Sequence, residues 1–216
     1  MKSDRAATRV RVKRSVDSYK DIRNRAKGVS DDTTTALTGL QYRNIGVTGG
    51  SGTSAPGNAL HLLDDVVDQS AIAGVDTEAE VQAMADAANA VIAAAGKGLA
   101  TGVSKGALET LGITGITDSN LTAVQSAIGG PATVATGVDT KAELQDLADK
   151  AIAGIPAELA RISTAAQLNT ATSGKAGVPA LSTIDYAQAG VFGVDTSNLG
   201  AVNSALDSAP ITGTQA

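Results

Sequence analysis

Four groups of side chains have types and spacings that could do chemistry. His61 stands among Leu60, Leu62 and Leu63 and is the single histidine of the chain, so a His-based metal site or a Ser–His–Asp triad would have to use it. No second ligand lies near it, and a packing or surface histidine is the plainer reading. Asp64, Asp65 and Asp68 offer carboxylates to calcium, but they lack the loop spacing and glycine of an EF-hand, and no G-G-x-G-x-D nonapeptide occurs. They read as the solvated face of a helix. The glycine-rich run from Gly49 to Gly57 has no Lys-Ser/Thr at Walker spacing and follows no dinucleotide fingerprint, so it reads as a linker. Glu80 and Glu143 could act as an acid–base pair, but they occupy matching positions of a repeated motif, where helix capping accounts for both. The chain contains no cysteine, which excludes disulfides, thiolate zinc sites, iron–sulfur clusters and cysteine nucleophiles. These readings predict a non-enzymatic protein with no catalytic, metal or cofactor-binding residues and no cofactor.

The elements that position these groups are read from self-similarity. Residues 74–86 and 137–149 agree at nine of thirteen positions in the motif G-V-D-T-x-A-E-[VL]-Q. A second pair lies in another phase: Ser119, Asn120, Leu121, Ala123, Val124, Ser126 and Ala127 match Ser197, Asn198, Leu199, Ala201, Val202, Ser204 and Ala205. Thr77-x-x-Glu80 and Thr140-x-x-Glu143 are capping boxes, and the preceding Val75 and Val138 suit the N′ staple position. Val81, Met84, Ala88 and Val91, like Leu144, Leu147 and Ala151, follow one helical face. The second motif predicts helices starting near Thr117 or Asp118 and near Asp195, with Leu121, Val124 and Ile128, and Leu199, Val202 and Leu206, turned inward. A short helix around 107–111 ends at Gly112, a natural C′ residue.

The expected fold is all-α: small three-helix repeat units in tandem, joined by Gly/Ser/Thr-rich linkers, behind a basic N-terminal helix or tail. The expected boundaries are 1–32 for the basic segment, 33–95 for unit 1, 105–156 for unit 2 and 182–216 for a partial unit 3, with flexible joints at 96–106 and 164–179. Aromatic residues make up 2% of the 216 residues, and there are 24 glycines, so the core is expected to be thin and built from Ala, Val, Leu and Ile. In unit 3 the Leu199, Val202 and Leu206 stripe has no later helix to cover it, so it is expected to be covered by another copy, a partner or residues beyond Ala216.

Charge is distributed unevenly. Residues 1–27 hold ten of the seventeen Lys and Arg but three of the twenty-two acids. A helix over about 6–26 would carry a narrow apolar stripe of Val12, Val16, Tyr19 and Ala26 beside Arg9, Arg11, Lys13, Arg14, Lys20, Arg23 and Arg25. Such a segment suits an acidic protein partner, an anionic membrane surface or a nucleic acid, with a solvated tail as the plain alternative. Nucleic acid is the weaker of these, because Tyr19 alone could stack on a base and no nucleic-acid motif appears. The acidic body of another copy is an equally good electrostatic match. No run of about 18 apolar residues marks a transmembrane helix, and no apolar h-region marks a signal peptide.

The elements L-x-x-L-G-I-T-G-I-T-x-x-N-L-x-A-V-Q-S-A-I (Leu108–Ile128) and G-V-D-T-x-A-E-[VL]-Q-x-[LM]-A-D resemble Ala- and Gly-rich helical tandem repeats of very large bacterial surface and adhesin-type proteins. The phrase Leu206-Asp207-Ser208-Ala209-Pro210-Ile211-Thr212-Gly213 is similar to their linkers, and the three-helix plan is distantly similar to the albumin-binding GA module. The likeness covers about residues 33–216. It implies a non-enzymatic structural or adhesive module at the cell surface or outside the cell, with protein partners that are copies of itself or other subunits. The alternative is a virion component such as a phage fibre, tail or capsid-associated part, anchored by the basic N-terminus.

Overall fold

The computed structural model describes residues 2–26, 36–50, 53–167 and 180–208. Among them are nine α-helices and no strands. The helices are α1 (Lys2–Arg25), α2 (Gly39–Asn44), α3 (Ala59–Asp68), α4 (Glu78–Ala94), α5 (Lys105–Thr110), α6 (Leu121–Gly129), α7 (Lys141–Gln167), α8 (Thr183–Gln188) and α9 (Leu199–Ser208). Single 3-10 turns at Ile72–Gly74 and Ala135–Gly137 precede α4 and α7. Lys27, the joint at 168–179, Ser51-Gly52 and the phrase from Ala209 onward lie outside the described residues.

The three short helices are built alike. Thr38, Ser104 and Ser182 are their N-caps; the Ser104 side chain accepts from the Ala107 N–H at 3.1 Å, satisfying one of the free donors of the first turn. Each helix then closes with a glycine at C′: Gly46, Gly112 and Gly190 have φ of 105°, 74° and 74°. The N–H groups of Val47, Ile113 and Val191 return to the carbonyls of Tyr42, Leu108 and Tyr186 at 3.1, 2.9 and 2.8 Å. That pairing is the Schellman closure, which needs a left-handed residue at C′.

The long helices start where the capping boxes predict. The Thr77 N–H donates to Glu80 Oε2 at 2.9 Å and the Glu80 N–H to Thr77 Oγ1 at 3.2 Å. The Glu143 N–H donates to Thr140 Oγ1 at 3.2 Å. Val75 and Val138 are buried, but they stand two residues before the cap, and the N′ positions belong to Asp76 and Asp139. The glutamine of the repeated motif clamps the preceding turn: the Thr48 N–H donates to Gln82 Oε1 at 2.8 Å, and the Thr114 N–H to Gln145 Oε1 at 2.9 Å.

Several expectations need correction. The helices α6 and α9 begin at Leu121 and Leu199, later than expected, because Thr117 and Asp195 open turns in which their N–H groups donate to Asn120 Oδ1 and Asn198 Oδ1 at 2.8 and 2.9 Å. The α7 helix runs through Pro156 to Gln167, so residue 156 is not a boundary and 164–167 are helical. Its Ile162 and Ala165 keep an apolar face for Leu181 and Tyr186. The joint after α4 is tied down: the Gly96 and Gly98 N–H groups donate to the Ile128 and Gly129 carbonyls at 3.1 and 2.8 Å. A Cβ at Gly129 would fall 1.3 Å from the Gly98 carbonyl oxygen, so this close approach admits glycine alone.

The main core runs from Ile22 of α1, with Ala26 just after that helix, to Leu144 and Ala148 of α7. A smaller cluster joins Ala165, Leu181 and Tyr186 with Ile162, Val194, Leu199, Val202 and Leu206. Aliphatic residues dominate, yet Tyr42 and Tyr186 are buried in the two cores, one on α2 and one on α8. In each case the long helix packs on the short helix that follows it: α1 on α2, α4 on α5 and α7 on α8. The middle helices α3 and α6 also pack on the long helices that follow them, α4 and α7.

Candidate interaction surfaces

Among the described residues no group of three His, Asp or Glu could hold a metal ion, and no helix is long and apolar enough to cross a membrane. His61 is half-buried, with Nδ1 3.0 Å from the Asp139 backbone carbonyl. The Asp139 carboxylate lies 3.7 Å from the same nitrogen and also accepts from the Gly57 N–H, so His61 joins α3 to the start of α7. The three aspartates of α3 are not a solvated face. Asp64 and Asp68 are buried against Arg25, with N–O distances of 3.2 and 3.5 Å. Asp64 also accepts from the Leu37 N–H at 3.0 Å, and Asp65 from the Lys141 N–H at 2.8 Å. Burial raises the Asp64 carboxyl above its ordinary 3.8, an effect that the Leu37 N–H and Arg25 oppose.

The basic segment divides along α1. Its last turns pack: Ile22 and Ala26 enter the core, the Ser15 hydroxyl donates to the Asn44 carbonyl at 2.6 Å, and Asn44 Nδ2 donates to Ser18 Oγ at 3.0 Å. The Tyr19 hydroxyl donates to the Asp76 carbonyl. Of the expected apolar stripe, Val12 and Val16 are exposed while Tyr19 and Ala26 pack. Of the seven expected interaction residues, Arg9, Arg11, Lys13, Arg14, Lys20 and Arg23 are exposed. Arg25 is the correction: it is 6% exposed and holds two carboxylates inside the fold, out of reach of a partner.

Beside the exposed face runs a groove of about 580 Å³, bounded by Val16, Tyr19, Lys20 and Arg23 of α1, Ile45 after α2 and Ile72 of the first 3-10 turn. The Arg23 guanidinium stands 5.8 Å from the centre of the Tyr19 ring. Its walls are mainly apolar, and Lys20, Arg23 and Glu78 bring charge to its lining. Ile45 and Ile72 were not visible as site residues in the sequence, since each sits in a turn that only the fold brings to α1.

At the other end, the Leu199, Val202 and Leu206 stripe is half-buried and packs with the small cluster of Ala165, Leu181 and Tyr186. The stripe is therefore engaged in part within the chain rather than left fully open. The open face of α9 is a different one, carrying Ala201 and Ser204. Comparison with family models, with curated proteins and with solved structures yields no match.

Proposed function

We propose that this chain is a non-enzymatic structural and adhesive module of a large bacterial surface protein, built from tandem units of short helix, middle helix and long helix. The observation that carries the reading is the recurrence of one joint. Capped short helix, Schellman glycine and glutamine clamp occur in the same order after α1 and after α4. Cap and glycine recur after α7. Units of this size bury little surface alone and gain from stacking on neighbours, the usual basis of load-bearing arrays. Antibodies against the chain should label intact source cells, and labelling confined to a cytosolic fraction would overturn the reading.

A virion component is the second reading, favoured by the exposed basic half of α1, which suits anchorage on an acidic subunit. The same antibodies labelling purified particles rather than cells would select it.

A further inference from the structure

We infer that the chain associates with itself head to tail, the Ala201 and Ser204 face of α9 in one copy docking on the Arg11 and Arg14 face of α1 in the next. The inference rests on the structural-module reading and names its partner.

Helices α6 and α9 share the pattern L-x-A-V-x-S-A, from Leu121 to Ala127 and from Leu199 to Ala205. Ala123 and Ser126 of α6 correspond to Ala201 and Ser204 of α9. In α6 both are buried, at 1% and 5% exposure, because α7 and α8 pack over that face. In α9 both are exposed. Small side chains let helix backbones approach closely, and the α6 face shows what these residues accept: a long helix with its following short helix.

The chain contains another such pair with a free face. Asn44 of α2 and Gln188 of α8 each stand two residues before the Schellman glycine. Next to Gln188, the α7 surface beside α6 is formed by Ala151, Gly154 and Glu158. Next to Asn44, α1 presents Ser15 and Ser18, and one turn earlier Arg11 and Arg14, both exposed. No helix of the same copy covers Arg11 and Arg14 among the described residues.

Charge selects the occupant. Residues 180–208 contain three acids, Asp185, Asp195 and Asp207, and no Lys or Arg, with Asp185 already paired to Arg161 of α7. Residues 2–25 contain nine Lys and Arg against three Asp. Two different surfaces meeting in this way form a heterologous contact, which propagates into rings or open filaments. Opposite charge speeds encounter and makes it sensitive to salt.

The test is sedimentation of the full chain across concentration at low and high salt. The wild-type chain should form concentration-dependent oligomers that salt dissolves. Ala201→Arg with Ser204→Arg should abolish them while the helical circular dichroism is unchanged, since both positions are exposed. Arg11→Glu with Arg14→Glu should do the same from the other end. Mixed, the two variants should associate again, because each keeps one intact face. A wild-type chain that is monomeric at high concentration and low salt overturns the inference. So do folded double variants that associate like wild type, or a mixture that stays monomeric. Failure here leaves the surface-labelling result untouched, so the two readings fail separately.

Discussion

Helices α3, α6 and α9 fasten to the chain ahead of the short helices that precede them in two chemically opposite ways. In α6 and α9 a buried amide does it: Gln125 Nε2 donates to the Val103 carbonyl, and Asn203 Nδ2 to the Leu181 carbonyl, both at 2.9 Å. In α3 a buried carboxylate does it, with Asp64 accepting from the Leu37 N–H at 3.0 Å. An amide satisfies the joint by itself. A carboxylate brings a charge into the core, and the fold then has to supply Arg25 from α1 to meet both Asp64 and Asp68. The basic helix is thereby locked into the structure at one end by a charged group, whereas the Asn203 bond that ties α9 to Leu181 is neutral. Burying an ion pair is weak evidence for stability but makes each partner hard to remove singly.

The largest effect expected follows from that asymmetry. Arg25→Met leaves two buried carboxylates without their cation and should lower stability by about 3–5 kcal/mol, the range for breaking a buried pair. Adding Asp64→Asn and Asp68→Leu should recover most of the loss, because the amide still accepts from Leu37 and no charge remains buried. Urea denaturation measures both. If the triple variant is no more stable than Arg25→Met alone, the contrast between charged and neutral joints is wrong.

The same carboxylate gives a pH signature that α6 cannot show. The native Asp64 carboxyl titrates above its ordinary 3.8, so the folded chain holds this proton to higher pH than the unfolded chain does. Its contribution is most favourable below the unfolded value, declines as pH rises through the window up to the native value, and is constant above that. Denaturation of wild type and Asp64→Asn across this window should differ in slope, with the wild type losing stability relative to the variant as pH rises. Gln125→Met should show no such slope difference and should cost about 1–3 kcal/mol at every pH, from the Val103 carbonyl left unpaired in the core.

A smaller effect tests a feature common to α4 and α7. Thr77→Ala and Thr140→Ala each remove an N-cap and should cost about 1 kcal/mol, read from thermal or urea unfolding. These caps were legible in the sequence because a capping box is local: donor and acceptor lie three residues apart, and nothing distant decides the outcome. The starts of α6 and α9 misled for a related reason. Thr117 and Asp195 have capping chemistry, but Asn120 and Asn198 capture their N–H groups first and reach back to the Gly115 and Gly193 carbonyls. The Arg25–Asp64 pair spans 39 positions, so no spacing rule could find it. The sequence does not mark the α2 helix, over Gly39–Asn44, since it shares with α5 little more than a cap, a buried residue and the closing glycine. Nor could sequence separate Ala201 from Ala123, whose surroundings differ although both stand in an L-x-A-V-x-S-A pattern.

The smallest effect sharpens the contrast within α1 itself. Arg23 lies two residues from Arg25, on the opposite side of the helix, exposed at the rim of the groove. Its visible contact is with the Tyr19 ring at 5.8 Å, worth about 0.5–1 kcal/mol at an exposed site. The ring is also held by its hydroxyl on the Asp76 carbonyl, so losing the cation does not release it. Arg23→Ala should therefore shift the urea midpoint by a small fraction of the shift seen with Arg25→Met, leaving helical content unchanged. Equal losses at the two positions would mean that the outer face of α1 contributes to folding as much as the buried pair does. The division of this helix into a locked inner face and an outer face available for association would then fail.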